Sequence, residues 1–231
     1  MNRCLQNIGE PRLRPWNIPH PRIVNPAFVV TGQRYRVRIR AMKPALMPAI
    51  CLGLTLLVAG PACAAETVAL GELAKPGRLL ILRHAHAPGT GDPPTFQPDD
   101  CATQRNLDEA GRKQAMQLGE RLARAGVTQA RVYSSQWCRC LDTARLLKLG
   151  TVEPLPALNS FFGRPQEREP NITALREILS VLPPDGPPVI MVTHQVTISA
   201  FTEESTPSGG GSLFQLNGTG NPRWLGIIPA H

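Results

Sequence analysis

The chain has 231 residues, with 25 Lys and Arg against 17 Asp and Glu, for a net charge of +8. That excess is not spread evenly: residues 1–65 hold nine of the basic residues and one acid, Glu10, so residues 66–231 carry sixteen of each and are neutral. A nucleic-acid partner needs its basic surface on the folded part of the chain, and this distribution offers none.

Residues 1–41 are rich in Pro and Arg and show neither helical nor strand periodicity. They are expected to be an upstream extension, either ahead of a true start at Met42 or disordered. From Met42 the chain reads "MKPALMPAICLGLTLLVAGPACAAE". A lysine leads into an apolar stretch, Ala49 to Ala59, which closes on small residues. This is the pattern of a secretory signal peptide over 42–65, cleaved after Ala65. The apolar stretch is too short to span a bilayer, and Cys63 lacks the upstream leucine of a lipid-anchored leader. The expected product, residues 66–231, is periplasmic or secreted and without a stable membrane anchor. It forms one domain with one substantial core.

In chain order, "RLLIL" (78–82) reads as a buried strand, followed by a Pro, Gly and Asp loop over 87–101. Asp108 is the expected N-cap of a helix through Ala125, with Ala115, Leu118, Leu122 and Ala125 on one face and Gly126 as the stop. "ARVYSS" (130–135) is the second strand, and a helix over 136–147 closes near Gly150. A loop fills 152–170, a helix spans 173–182, and "PVIMVTH" (188–194) is the third strand. "SLFQL" (212–216) and "RWLGII" (223–228) form a closing hairpin. Strands spaced by helices predict an α/β, three-layer sandwich, a mainly parallel central sheet flanked by helices. Three cysteines, Cys101, Cys138 and Cys140, fall within 66–231. In an exported protein they predict one disulfide from Cys101 to Cys138 or Cys140, and one remaining thiol.

Three strands end on polar residues: Arg83-His84, Ser134-Ser135 with Arg139 in the next helix, and Thr193-His194. Ligands of open α/β sheets sit beyond the carboxyl ends of the strands. An arginine fork grips phosphate oxygens in pairs. A histidine attacks phosphorus through one ring nitrogen when its other is held. The competing readings are structural. Arg83 would be an ordinary loop cation, Arg139 would pair with Asp142 one turn on, and His194 would be a satisfied core histidine. His86, two residues after His84, raises a metal-binding H-x-H reading. The chain continues into Ala87-Pro88 rather than an Asp-His pair, so no metal is expected and His86 is read as a rim residue. Trp137 is read as packing.

These segments resemble the histidine phosphatase (phosphoglycerate-mutase-like) superfamily. "LRHAHA" is similar to its nucleophile motif, with Ala85 where glycine is usual. "SSQWCRCLDTA" (134–144), "VIMVTHQVTI" (189–198) and "NLDEAGRKQA" (106–115) match three further segments in order. The resemblance implies His84 as the phosphoryl-accepting nucleophile. Arg83, Arg139 and His194 would hold the phosphoryl oxygens, with no metal or other cofactor. It also implies a carboxylic acid that protonates the leaving group, and here this sequence departs: the two expected positions carry Asn159 and Gln195. Glu153, Glu167, Glu169, Asp92, Asp99 and Asp100 remain open as donors. The expectation is an exported phosphatase acting on a small phosphorylated molecule, an envelope sugar phosphate among the candidates. The alternative is a phosphate-binding or sensing protein with little turnover.

Overall fold

Two strands with no polar residue among their central positions set the frame. Leu79 to Leu82 are buried throughout, as are Val189 to Thr193, which is the signature of parallel strands covered on both faces. The computed structural model describes residues 66–230, so the upstream extension and signal peptide expected over 1–65 lie outside the described residues. The strands are β1 (Arg78–Arg83), β2 (Arg131–Ser134), β3 (Val152–Pro154), β4 (Val189–Thr193), β5 (Gly211–Gln215) and β6 (Arg223–Ile228). They form one sheet in the order β3-β2-β4-β1-β5-β6. The first four run parallel, while β5 and β6 add an antiparallel edge.

The period of two along each strand divides the core. Leu80, Leu82, Ile190 and Val192 face one layer, packed with Leu118 and Leu122 of helix α1 (Glu109–Arg124) and with Ala144 and Leu147 of α2 (Cys138–Leu147). Leu79, Ile81, Val189 and Met191 face the other, packed with Leu175 and Leu179 of α3 (Arg168–Val181) and Ile198 of α4 (Gln195–Thr202). This is the expected three-layer α/β sandwich. Among the described residues, no helix is long and apolar enough to cross a membrane.

Local chemistry explains the boundaries. Asp108 caps α1 as expected, its Oδ1 accepting from Gly111 N at 2.7 Å. Helix α3 begins at Arg168 rather than the expected 173. Pro170 lies in its first turn, where a missing N–H leaves no intrahelical bond unmade. Helix α2 ends on Lys148 in the left-handed region, two residues ahead of Gly150. Helix α4 was not expected at all. Its Val196-Thr197-Ile198 run favours a strand locally, but burial of Thr197 and Ile198 against the sheet prevails. The disulfide joins Cys101 to Cys138, with Cα atoms 5.7 Å apart, and Cys140 is the buried free thiol. The bridge closes 37 residues, worth about 4 kcal/mol in a chain-entropy treatment.

Gly111 fixes how closely α1 approaches the segment after β1. A Cβ there would lie 1.9 Å from the carbonyl oxygen of His86. Gly111→Ala is therefore expected to destabilise the fold. Overpacking against backbone costs about 3 kcal/mol, against a helix-propensity gain of about 1 kcal/mol. A lower urea midpoint at unchanged slope is the expected measurement; an unchanged or raised midpoint would show that α1 shifts freely.

Candidate active site

The sheet register brings the two histidines together. Arg83 and Thr193 are partners on adjacent parallel strands, so His84 and His194 leave the sheet side by side, ring centroids 5.5 Å apart. The backbone N–H of His84 donates to Thr193 O at 3.0 Å. Arg139, on the first turn of α2, enters from the neighbouring β2 side. Arg83, His84, Arg139 and His194 all line one cavity of about 240 Å³, together with Asp92, Arg105, Phe162 and Gln195.

His84 is 2% exposed. Its Nδ1–H donates to the carbonyl of Ala85 at 2.8 Å, which leaves Nε2 as the free, unprotonated nitrogen. Burial drives its pKa down to about 3. The charges of Arg139, Arg105 and Arg83 add to this, and the Ala85 hydrogen bond opposes it. The ring is thus neutral across the physiological range.

His194 is held as the opposite tautomer. Its Nδ1 accepts from Arg139 Nη2 at 3.5 Å, and its Nε2–H donates to Ser135 Oγ at 2.9 Å. Burial, then the neighbouring Arg139 and His84, hold it well below the usual range. Ser135 in turn donates to Asn159 Oδ1 at 3.2 Å. The Cys140 thiol lies 3.5 Å from the same Nε2. Burial pushes that thiol up to about 12, so it is a protonated neighbour rather than a nucleophile.

Both residues at the expected acid positions are braces. Asn159 also accepts from Gln136 N at 2.9 Å and donates to Gln136 Oε1 at 2.8 Å. Gln195 Oε1 accepts from Thr206 N at 2.8 Å, while Arg83 Nη1 donates to Thr206 O at 2.7 Å. One amide therefore fixes the histidine relay and the other fixes the loop that orients Arg83.

Arg139 pairs with Asp92, not with Asp142, which instead meets Arg145 at 3.3 Å. Asp92 also accepts from the Trp137 indole N–H at 2.9 Å. Burial raises the Asp92 pKa, but the hydrogen bonds from Arg139 and Trp137 and the charges of Arg139 and Arg105 outweigh it and hold the carboxyl below its usual range. Trp137 is buried and stacked on Phe96, centroids 4.9 Å apart, in keeping with a packing role. The other carboxylates considered lie outside the cavity lining. Glu167 pairs with Arg164 and Glu169 with Arg168, Asp100 caps a short turn at Cys101–Thr103, and Glu153 and Asp99 are exposed.

Arg105 is the charged cavity residue that sequence reasoning missed. Its Nε donates to Gly91 O at 2.8 Å and its Nη1 to Ala87 O. Burial, then the nearby Arg139, lowers its pKa. Its only sequence signal is position, immediately ahead of the "NLDEAG" helix start. His86 is exposed, pairs with Asp108 at 3.0 Å, and is not part of the cavity lining. Among the described residues, no cluster of three or more His, Cys, Asp or Glu is placed to hold a metal ion.

Residues 79–171 match the family model of the histidine phosphatase superfamily (branch 1). Among solved structures it is similar to the protein histidine phosphatase SixA complexed with tungstate, at 18% identity and a TM-score of 0.48, over 66% of this chain and 97% of that one. A mycobacterial hydrolase aligns at 18% identity and a TM-score of 0.49, over 68% and 99% of the two chains. A mycobacterial glucosyl-3-phosphoglycerate phosphatase complexed with VO3 aligns at 17% and 0.48, over 67% and 99%. A search of curated proteins found no match.

Proposed function

We propose that this protein is an exported phosphatase that works through a phosphohistidine on His84. The observation that carries the reading is a buried, neutral His84 with Nδ1 tied to Ala85 O, inside a cavity lined by Arg83, Arg105 and Arg139. His84 Nε2 attacks the phosphorus of a small phosphorylated molecule. The bond from phosphorus to the leaving group breaks, and its electron pair departs with that group. Arg83 and Arg139 bind the phosphoryl oxygens and stabilise the charge they carry in transfer, while His194, its Nε2–H committed to Ser135, accepts from Arg139 and orients it. The Nε atoms of both arginines are buried without a hydrogen-bond partner in this structure, donors that an anion's oxygens would satisfy. Water then attacks phosphorus, the P–N bond breaks, inorganic phosphate leaves and His84 returns to its neutral form.

The leader pattern over 42–65 supports export, and with it a periplasmic or secreted setting where envelope sugar phosphates are one substrate class. Phe162, which is exposed, and Val196 also line the cavity, which suits a leaving group with some apolar surface. The test is chemical trapping. Rapid acid-free quenching after addition of labelled phosphoryl donor is expected to leave base-stable, acid-labile label on the protein, and His84→Ala is expected to abolish it. Label that survives in His84→Ala would reassign the nucleophile.

A further inference from the structure

The fork of Arg139 is fully occupied. Nη1 donates to Asp92 Oδ1 at 2.5 Å and to Arg105 O at 3.3 Å; Nη2 donates to Asp92 Oδ2 at 3.3 Å and reaches His194 Nδ1 at 3.5 Å. Four N–H groups on the two terminal nitrogens have four partners. Arg105 O and His194 belong to the frame of the site. The two acceptors carried by a loop outside the helices and strands are the oxygens of Asp92. A carboxylate lying across both Nη atoms takes the same paired position that two phosphoryl oxygens take.

The loop around Asp92 is held on its N-terminal side by Arg105, which donates to Gly91 O and Ala87 O. Gly89 and Gly91, on its N-terminal side, lie at φ 87° and 72°, and each Cβ position meets no atom closer than 3.6 Å. On its C-terminal side the loop is fixed: Phe96 stacks on Trp137 and Cys101 is bonded to Cys138. Release of the Arg139 fork is therefore a rotation of the Asp92 side chain, with the loop on either side staying in place. The cavity charge agrees with this arrangement. Arg83, Arg105 and Arg139 give three positive charges, and Asp92 cancels one of them.

We infer that Asp92 is an internal competitor for phosphate: it occupies the Arg139 fork at rest and is displaced when a phosphoryl group binds. This rests on the phosphatase reading of the same site and adds a residue that sets its affinity. Displacement breaks the bond from Trp137 Nε1–H to Asp92, so the indole reports on the event directly.

The experiment is a titration of the isotopically labelled full chain with inorganic phosphate, observed by NMR. The Trp137 indole N–H signal is assigned against Trp16 and Trp224 by Trp137→Phe, and the His84 ring signals by His84→Ala. The Trp137 signal is expected to move with the same midpoint as His84. Asp92→Ala is expected to bind phosphate on the order of tenfold more tightly, since removing a competing state raises the competent fraction. Its Trp137 signal should start near the phosphate-bound position of the native chain. If His84 titrates while the Trp137 indole stays still, or if Asp92→Ala binds phosphate equally or more weakly, the inference fails and the phosphatase reading stands. If neither signal responds to phosphate, both fail.

Discussion

Arg139→Ala is expected to lower kcat/KM by about 10²–10³-fold, the usual cost of one preorganised donor to a developing oxyanion. The side chain is 3% exposed, so its charge acts in a medium poor in water, where each hydrogen bond to a phosphoryl oxygen counts for more. Arg139→Lys should recover little of the loss, because an ammonium keeps the charge but not the planar fork. Stability must be separated from rate. Truncating one partner of a buried pair costs up to about 3–5 kcal/mol, but Asp92 is 19% exposed and water can relieve part of that. The double variant Arg139→Ala, Asp92→Ala should regain most of the melting temperature and none of the rate. Recovery of both together would mean that Arg139 serves only to neutralise Asp92.

The second large effect concerns the leaving group. Asn159 and Gln195 are amides with every described contact directed at the protein frame, and Asp92 is held ionised on Arg139. Among the described residues, no protonated carboxylic acid is therefore in place in the resting site to serve a departing oxygen. Positioned proton donation is worth about 10²–10⁴-fold. Aryl phosphates, acyl phosphates and phosphoramidates expel stable leaving groups unaided, whereas alkyl esters such as sugar phosphates do not. A plot of log kcat/KM against leaving-group pKa is expected to fall steeply, with alkyl esters slower by about 10²–10⁴-fold. A flat plot would reveal a proton donor, and a selective loss on alkyl esters in Asp92→Ala would identify it. That outcome would also favour the envelope sugar phosphate as the natural substrate.

The parts of the fold legible in the sequence are those where one local signal dominates. The runs Leu79 to Leu82 and Val189 to Val192 have no polar alternation, and both are central strands. Asp108 had a capping side chain with a helix-forming run after it, and α1 starts there. Where local preference and tertiary burial disagree, the reading failed. Helix α4 is built from residues that favour strands, and it exists because Ile198 fills the layer beside Leu175 and Leu179. The site divides in the same way. Arg83, His84, Arg139 and His194 could be gathered because each sits at or just past a strand end. Arg105 and Asp92 come from irregular chain, and their convergence depends on a loop path that no periodicity encodes. The choice of Cys138 over Cys140 was equally hidden, because it depends on which way each side chain leaves the first turn of α2.

That first turn has a consequence of its own. Cys138, Arg139 and Cys140 are successive residues rotated by about 100° each around the helix axis, and each serves a different neighbour. The first is bonded to Cys101, the second meets Asp92, and the third lies against His194. Three consecutive codons thus encode three unrelated duties, and a one-residue insertion or deletion here would misassign all of them at once. Random mutagenesis should find this tripeptide tolerant of almost no indels, while the exposed turn at Asn217–Asn221 accepts them freely. Any engineer changing the specificity of this site has to work from the surrounding loops and leave the start of α2 alone.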